Sequence, residues 1–420
     1  MREMKDSGVE WIGEIPTDWV VTKMNRVVGI ITDYVASGSF ADLAENVTYL
    51  DNPDYAMLIR IADLSGTKDK PVYIDKRAYD FLANSNLFGG EVILSNIGSV
   101  GSVYIYHKMY EYASLAPNSI MLNKSDDNRF IYYWFMNPMV NDELKRIGGN
   151  AVQTKFNKTQ LRQFKIVLPP SEIQHCIANY LDEKCKKIDD IIAKQQEIIE
   201  KLAAYKQSII TETVTKGLHP HVEMKDSGII WIGKIPSHWE ILKLKTHTSM
   251  LTPMRDKPQD LSGEIPWIRI EDYVGKYICE SKEGFGVSFE TVKEMNLKIY
   301  PVGTILCTSS CDLGKCAIVS KELVSNQRFI GIIPDEKTLP DYLYYLMLSN
   351  TERLNHLSTG TIQANLSRVE FEHLMVQFPP YEEQKEISDF LDNKCSAIDN
   401  VVETKQKIID GLISYKRSLI

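Results

Sequence analysis

Apolar residues recur at helical spacing over two long stretches of this chain, 171–216 and 379–420. Their spacings of three, four or seven form a heptad seam, which predicts two helices of about 36 residues, each on the order of 50 Å long. Gln195 and Lys405 share one seam position, where a polar residue fixes register. The seam residues are Leu181, Cys185, Ile188, Ile192, Ile199, Leu202 and Ile209 in the first stretch and Leu391, Cys395, Ile398, Val402, Ile409, Leu412 and Leu419 in the second.

The start of the first helix is marked by the prolines at 169–170 and by Ser171 and Gln174, which have the S-x-x-Q spacing of a capping box. Two ordinary amphipathic core helices would show the same periodicity. Because the pattern occurs twice, beside two unlike segments, we favour a mutual coiled coil that acts as a spacer.

Two blocks of the sequence each occur twice, and their order would continue without a break if the C-terminus were joined to the N-terminus. Residues 4–20 return at 224–240 with 11 of 17 positions identical, and residues 168–210 return at 378–420 with 19 of 43 identical. Between the repeated blocks lie segments that have diverged. Repeated blocks around two divergent segments predict one scaffold that presents two different recognition domains.

The divergent segments, 21–167 and 241–377, are distant relatives of each other. Both alternate short apolar strands with loops rich in Gly, Ser and Asn, and both predict helices, near 128–146 and 339–357. We therefore expect each to be a compact α+β domain. The matching pieces are 59–63 with 268–272, 90–95 with 303–308, the polar loop 96–102 with 309–315, Asn118 with Asn326, and 149–153 with 359–363.

The short repeat carries four of the six tryptophans, Trp11, Trp19, Trp231 and Trp239. We favour packing that docks this part of the chain onto the long helices. Stacking on nucleobases is the alternative.

Charge alone neither requires nor excludes a nucleic-acid partner. The net charge of −8 opposes one, yet 21–167 has 16 basic against 15 acidic residues and 241–377 has 15 against 17. Residues 144–171 include six basic residues and no acidic one, which suits either a phosphate-tracking surface or a solvated face. A DNA-binding role therefore suggests that partners supply much of the positive surface.

Composition argues against secretion and membrane insertion. The N-terminus is charged, no apolar run approaches about 18 residues, and seven cysteines without a signal peptide favour a reducing cytoplasm. Cys307, Cys311 and Cys316 have no histidine and no CxxC beside them, so we expect buried apolar residues there and no metal site.

We find no catalytic machinery in the sequence, which has neither a GxxxxGK[ST] phosphate loop nor an HExxH motif. The GxG at 284–286 follows no apolar strand, which argues against an adenosylmethionine loop. The PPY at 379–381 matches the core of an amino-methyltransferase site, but Phe378 stands where that site needs a polar residue. We expect a chain that is not an enzyme.

The double WIG-x-IP-x-x-W block, the PPxxEQ-like helix entries at 169–174 and 379–384, and the two divergent segments together resemble the specificity subunit of type I restriction-modification systems. The likeness covers essentially the whole chain. It implies an α+β fold with two target-recognition domains, separated by two long antiparallel helices in a pseudo-twofold, circular repeat. The implied division is a first recognition domain 1–168, a central helix 169–220, a second recognition domain 221–378 and a C-terminal helix 379–420.

The resemblance also implies partners. Each recognition domain would read one half of a bipartite, asymmetric site in double-stranded DNA, and two modification subunits would dock on the helices and domains. Those subunits would bring adenosylmethionine and adenine methylation, and restriction subunits would bring ATP and Mg, so this chain would need no cofactor. The second helical copy lacks a counterpart of 211–216, so those turns are either missing or unnecessary.

A single-chain DNA methyltransferase and a coiled-coil adaptor are the alternatives. The first would need an adenosylmethionine loop and a polar residue before the PPY. The second would explain the helices and leave the two polar-looped domains without a role.

Polar residues of the loops are the candidates for contact with DNA, because amide, hydroxyl and basic groups match the donors and acceptors of base edges and phosphates. Arg60 and Arg269 each have an Asp three residues on, so an internal ion pair competes with a phosphate contact. The candidates are Asn96, Ser99, Asn118, Asn150, Gln153, Lys155 and Lys158 in the first domain and Ser309, Lys315, Asn326, Gln327, Arg328, Thr361, Gln363 and Asn365 in the second.

Replacing Gln153 with Ala is expected to weaken binding to the cognate half-site alone, by about 1–3 kcal/mol, because a base contact counts only where that base is present. Binding titrations on cognate and unrelated duplexes measure the difference. An equal loss on both would identify Gln153 as a phosphate contact or a structural residue.

Replacing Lys158 with Ala is expected to weaken binding to all DNA sequences alike and to flatten the salt dependence of affinity, because a phosphate contact releases counterions whatever the sequence. Titrations at several salt concentrations give the slope. An unchanged slope would refute the phosphate contact.

Overall fold

The computed structural model describes residues 3–67, 70–149, 155–253, 257–310, 313–357 and 366–420. The chain forms two compact units, one of Met1–Lys194 with Ile408–Ile420 and the other of Gln195–Lys407. Each unit thus contains one predicted recognition domain together with parts of both long helices, whereas the sequence places boundaries at 168, 220 and 378.

The first unit consists of short strands and helices followed by a long helix. Its strands are β1 (Met4–Asp6), β2 (Glu14–Pro16), β3 (Val20–Lys23), β4 (Ile30–Asp33), β5 (Ala56–Ile59), β6 (Tyr73–Ile74), β7 (Asn86–Leu87), β8 (Val92–Ser95), β9 (Val103–Ile105), β10 (Ala113–Leu115), β11 (Ser119–Asn123) and β12 (Lys165–Leu168). Its helices are α1 (Phe40–Asn46), α2 (Ile61–Ser65), α3 (Lys76–Phe81), α4 (Asn128–Met136), α5 (Pro138–Ile147), α6 (Lys158–Gln163) and the first part of α7 (Ser171–Lys216).

One sheet of this unit has the antiparallel order β4-β11-β8-β9, and another has the order β6-β5-β10-β7, with β5 and β10 parallel. The core lies between the first sheet and α4 and α5, where Leu94 and Ile120 pack with Phe135 and Leu144. The helix predicted near 128–146 is divided in two, because the Asn137 side chain caps a new helix whose first residue is Pro138.

The second unit repeats this plan. Its strands are β13 (Met224–Asp226), β14 (Lys234–Pro236), β15 (Glu240–Lys243), β16 (Thr248–Leu251), β17 (Ile265–Ile268), β18 (Tyr277–Ile278), β19 (Gly286–Val287), β20 (Ile305–Thr308), β21 (Cys316–Val319), β22 (Val324–Ser325), β23 (Phe329–Pro334) and β24 (Met375–Phe378). Its helices are the rest of α7, α8 (Phe289–Glu294), α9 (Pro340–Ser349), α10 (Thr351–Leu357), α11 (Arg368–Glu372) and most of α12 (Tyr381–Leu419).

The sheet order β16-β23-β20-β21-β18 corresponds to the first sheet of the other unit, with β18 added, and β19-β17-β22 corresponds to the second. Cys307 and Cys316 face each other on β20 and β21, fully enclosed, with their sulfur atoms 2.9 Å apart. Both are core residues, as the sequence predicts, while Cys311 lies outside the described residues.

Each divergent segment begins and ends on a pair of antiparallel strands. In the first unit β3 pairs with β12, so that Val20 lies beside Leu168. In the second unit β15 pairs with β24, so that Glu240 lies beside Phe378. The two ends of each recognition domain therefore meet at one neck, directly before the long helix.

The long helices begin where the prolines predict, but not by a capping box. The Gln174 side chain donates to the carbonyl of Pro169 at 2.9 Å, and Gln384 does the same to Pro379 at 2.9 Å. A capping box would need a backbone N–H on the residue before the helix, which Pro170 lacks. The amide of the glutamine instead satisfies a carbonyl of the neck.

The long helices exceed the predicted length, with 46 residues in α7 and 39 in α12. These lengths correspond to about 70 Å and about 60 Å at about 1.5 Å per residue. The seam positions are buried or half-buried in every case, and Leu181, Cys185 and Ile188 are among the fully buried ones. The part of α7 beyond 210 stays helical because Val214 packs in the core of the second unit.

Equivalent lysine–aspartate pairs join the two helices within each unit. In the first unit Lys416 Nζ lies 2.6 and 2.7 Å from the carboxylate oxygens of Asp189. In the second unit Lys206 Nζ lies 2.7 Å from both oxygens of Asp399. Leu419 packs near Leu181, whereas Lys416 lies beside Asp189, so later residues of α12 meet earlier residues of α7 and the two helical segments run antiparallel in this unit.

The tryptophans divide between two kinds of packing. Trp239 is fully buried, donates its indole N–H to Glu383 of α12 at 3.0 Å, and lies against Gly217 after α7. Trp11 instead packs within its own recognition domain, with Trp134 at 6.2 Å between ring centroids. Docking onto the long helices is therefore right for Trp239 and wrong for Trp11.

Of the helices among the described residues, none combines the length and apolar character that a membrane span requires.

Candidate nucleic-acid interface

The polar loop 96–102 of the first unit is held at its start by two other segments. Directly after Ser95, the backbone N–H of Asn96 donates to the carbonyl of Asn118 at 3.2 Å, and its carbonyl accepts from Phe156 N–H at 3.3 Å. The Asn96 side chain adds a bond to the carbonyl of Phe156 at 3.1 Å. Asn96 therefore serves the loop frame, and Asn118 is brought next to the loop.

A cleft of about 660 Å³ opens beside this loop. It brings together two of the candidate residues, Ser99 and the exposed Asn118. Asn118 has a left-handed φ of 68°, a conformation that Asn tolerates better than most residues. The other polar side chains on the wall of the cleft are those of Tyr49, Arg60, Ser65, Thr67, Ser95 and Tyr104.

Both arginines that could have been phosphate contacts form internal ion pairs. Arg60 donates to the two carboxylate oxygens of Asp63, at 3.0 and 2.9 Å. Arg269 lies 3.2 Å from Glu271 and 3.0 Å from Glu283. Their charges are largely neutralised within the domain, which favours the ion-pair interpretation.

The loop 309–315 of the second unit is held at its start by the same backbone hydrogen bonds, which we call the loop frame. The backbone N–H of Ser309 donates to the carbonyl of Arg328 at 2.8 Å, and the carbonyl of Ser309 accepts from Leu366 N–H at 2.8 Å. These three residues take the places of Asn96, Asn118 and Phe156. Ser309 is only 8% exposed, so its own contribution is structural in the free chain.

The strand register corrects one predicted correspondence. Asn118 directly precedes the residue of β11 that pairs with Ser95, and Arg328 directly precedes the residue of β23 that pairs with Thr308. Because Ser95 and Thr308 correspond, the counterpart of Asn118 is Arg328 and not Asn326. The Asn326 side chain instead accepts the backbone N–H of Arg328 at 2.9 Å and shapes the turn.

The lysine candidates differ in their surroundings. Lys155 forms a backbone bridge with Ile97 of the loop and is exposed. Lys158 is half-buried, and its Nζ lies 2.7 Å from Asp33, which favours a structural role over a phosphate contact. Lys315 is exposed, and its carbonyl accepts from the backbone N–H of Thr308 at 3.0 Å.

Gln327 is exposed beside Arg328 in the second unit. The remaining candidates lie outside the described residues, and their contact with DNA stays a prediction. They are Asn150, Gln153, Thr361, Gln363 and Asn365.

A lysine fastens the second recognition domain to α12. Lys276 Nζ lies 2.6 Å from Asp341 of α9 and 2.5 Å from Asp392 of α12, and the Tyr345 hydroxyl donates to Asp392 at 2.6 Å. Burial opposes ionisation of Asp341, but hydrogen bonds from Lys276 and Tyr277 outweigh it, so the pKa of Asp341 is held below its ordinary value.

An arginine makes the same kind of clamp in the first unit. Arg129 lies 2.6 Å from Asp127, the N-cap of α4, and 2.9 Å from Asp182 of α7, and the Tyr133 hydroxyl donates to Asp182 at 2.7 Å. Burial raises the pKa of Asp127, but hydrogen bonds from Arg129 and His175 lower it further, so the net pKa is below the ordinary value.

Neither clamp is predicted from the sequence. Asp182 and Asp392 are identical residues at equivalent positions of the repeat, which is a usable signal for a shared role. The cations come from positions that do not correspond in the repeat, Arg129 in the first turn of α4 and Lys276 directly before β18. Comparison of the two repeats therefore cannot identify the two cations as equivalent. Among the described residues there is no cluster of three or more His, Cys, Asp or Glu side chains able to hold a metal ion.

Comparison with known proteins identifies the family. The sequence matches the type I restriction modification DNA specificity domain over residues 16–212 and 240–410. A Methanocaldococcus jannaschii protein named as the specificity subunit of type I restriction enzyme MjaX is 25% identical over 97% of this chain and 93% of its own length. The EcoKI specificity subunit of Escherichia coli is 22% identical over 89% of this chain and 82% of its own length.

Solved structures share the fold. A chain from a type I restriction-modification system, in work on its assembly and conformational transition, has a TM-score of 0.71 at 11% identity, over 96% of this chain and 97% of that one. The HsdS subunit from Thermoanaerobacter tengcongensis has a TM-score of 0.52 at 11% identity, over 99% and 98%. This chain belongs to the type I restriction-modification DNA specificity family, and the predicted fold class and role as a DNA specificity subunit are confirmed.

Replacing Asp392 with Asn is expected to lower the free energy of unfolding of the second unit by about 1–3 kcal/mol, because Lys276 loses a charged acceptor. Differential scanning calorimetry of the full chain measures the change. Asp389→Asn, which removes the same charge from an exposed side chain of α12, is the matched control. An equal effect of the two substitutions would contradict the clamp.

Proposed function

We propose that this specificity subunit reads an asymmetric, bipartite site in double-stranded DNA, one half with each unit, and holds two modification subunits in equivalent positions. The observation that carries the proposal is a duplicated helical frame around two unlike loops. The Asp189–Lys416 pair and the Asp399–Lys206 pair are the same contact made once in each unit.

The asymmetry of the site follows from the loops. The frame residues at the start of each loop are Asn96 in one unit and Ser309 in the other, and their bonding partners are Asn118 and Arg328. Similar frames with different side chains present different donors and acceptors to base edges. Two such frames on one chain are suited to two unlike half-sites, whereas identical ones would suit a palindrome.

The number of partners follows from a second apolar stripe on each long helix. These side chains are exposed, lie seven residues apart on one helical face, and occupy equivalent positions of the repeat. Rows of exposed apolar side chains are typical of protein interfaces. The stripe residues are Ile198 and Tyr205 on α7 in the second unit and Ile408 and Tyr415 on α12 in the first unit. Two equal stripes favour two copies of one partner.

We further propose that this chain is not itself catalytic and acts in the cytoplasm. Adenosylmethionine would be held by the modification subunits, and ATP and Mg by restriction subunits that join the complex. Family membership and the unlike loops support this division, in which the present chain contributes DNA specificity and assembly.

A complex of this chain with its host's modification subunit is expected to methylate adenines at one bipartite, asymmetric motif and to contain two modification subunits. Ile198→Glu and Ile408→Glu are each expected to leave one modification subunit per complex, and the double variant none, because a buried charge opposes docking. Native mass spectrometry counts the subunits, and long-read sequencing of host DNA maps the methylated adenines.

Lys194→Glu places a new acidic residue at an exposed position of α7 outside the stripe and serves as the control. If both single variants keep two modification subunits, the stripes are not the docking surface. If the methylated adenines do not lie in a bipartite motif, recognition of one half-site by each unit is refuted. Binding of radiolabelled adenosylmethionine by the chain alone would refute its non-catalytic role.

A further inference from the structure

We propose that Asn118 and Arg328 are equivalent base-reading residues of the two units, and that they select an adenine in one half-site and a guanine in the other. The inference rests on the proposed function. Beyond the proposed function, we identify the side chain that discriminates in each unit and the base that it selects.

The equivalence of the two positions is fixed by a second set of strand pairings. The last residue of β10 pairs with Ile59 of β5, and the last residue of β22 pairs with Ile268 of β17, both in parallel. Asn118 and Arg328 each lie three residues beyond that point. Each also accepts, through its carbonyl, the backbone N–H of the first loop residue. Strands on both sides therefore hold the two residues at the same place.

Both side chains are exposed directly before a buried residue. The residues that follow, Ser119 and Phe329, are 2% and 1% exposed, whereas Asn118 and Arg328 are exposed. Throughout the described ranges, neither side chain has a hydrogen-bond or ion-pair partner. This distinguishes Arg328 from Arg269, whose guanidinium is neutralised by carboxylates.

The backbone presents the two residues in different ways. Asn118 stands at a left-handed φ of 68° on the wall of the cleft that also holds Ser99. Arg328 stands in a turn that the Asn326 side chain closes through the backbone N–H of Arg328. The shorter side chain is therefore set beside a cleft, and the longer one projects from a turn.

The two side chains differ in the base edge that they match. A carboxamide can form a bidentate pair with adenine, in which its NH2 group donates to N7 and its oxygen accepts from N6–H, and a guanidinium can donate two bonds to guanine O6 and N7. A swap of amide for guanidinium at one point of a shared frame thus changes the base that is preferred. It gives an asymmetric site without any change in the fold.

The test maps methylation by the assembled complex with Asn118→Gly and with Arg328→Ala. Glycine suits the left-handed φ at 118, so the change removes the side chain without backbone strain. Asn118→Gly is expected to remove the requirement for one adenine in one half of the motif, and Arg328→Ala the requirement for one guanine in the other. Discrimination at that position should fall by about 5- to 150-fold, the range of one bidentate contact.

Lys321→Ala removes an exposed positive charge from the same unit as Arg328 and is the matched control, expected to leave the motif unchanged. Should Arg328→Ala fail to assemble with modification subunits, Arg328→Gln carries the same test with a side chain of similar length. If the complexes with Asn118→Gly and with Arg328→Ala both methylate the same motif as the unaltered complex, the inference is wrong. So would an equal loss of methylation at all sites, which would make Arg328 a phosphate contact. If the unaltered complex methylates no bipartite motif, the proposed function fails instead.

Discussion

The pairing of strands at each neck is the constraint on which the rest of the structure depends. Val20 beside Leu168 and Glu240 beside Phe378 bring the two ends of a recognition domain together before the chain enters a long helix. A segment whose ends are adjacent can change in length and loop sequence without displacing its surroundings. The segments 21–167 and 241–377 differ by ten residues in length, yet both leave and rejoin equivalent strands.

A buried glutamine connects the neck to the helix in both units, which explains why it recurs in the repeat. Gln174 and Gln384 are 1% and 2% exposed. Burying an amide is unfavourable unless it is hydrogen-bonded, and each donates to the first proline of the helix entry. Gln384 also bonds the carbonyl of Lys337 and the N–H of Leu339, so neck, helix and domain are tied at one side chain.

The repeated parts of the molecule were the more predictable ones from sequence. The heptad period and the prolines located both long helices and the start at Ser171, because periodicity and helix punctuation are local properties. The length of α7 was underestimated because its last turns are held by contacts of Val214 with a distant core. The match of Asn118 to Asn326 was wrong for a similar reason: identity points to the nearer Asn, but register is set by pairing with strands far along the chain.

The clamps show how divergence can preserve a contact while its donor changes. Asp182 and Asp392 stay in the repeated helices, but the cation comes from Arg129 in one unit and Lys276 in the other. The same use of basic residues within the domains bears on how DNA is held. A cation already paired with a carboxylate adds little counterion release on binding phosphate. In the free chain these paired side chains therefore contribute little to attraction of the phosphate backbone. The basic side chains paired internally in the recognition domains include Arg60, Arg129, Lys158, Arg269 and Lys276.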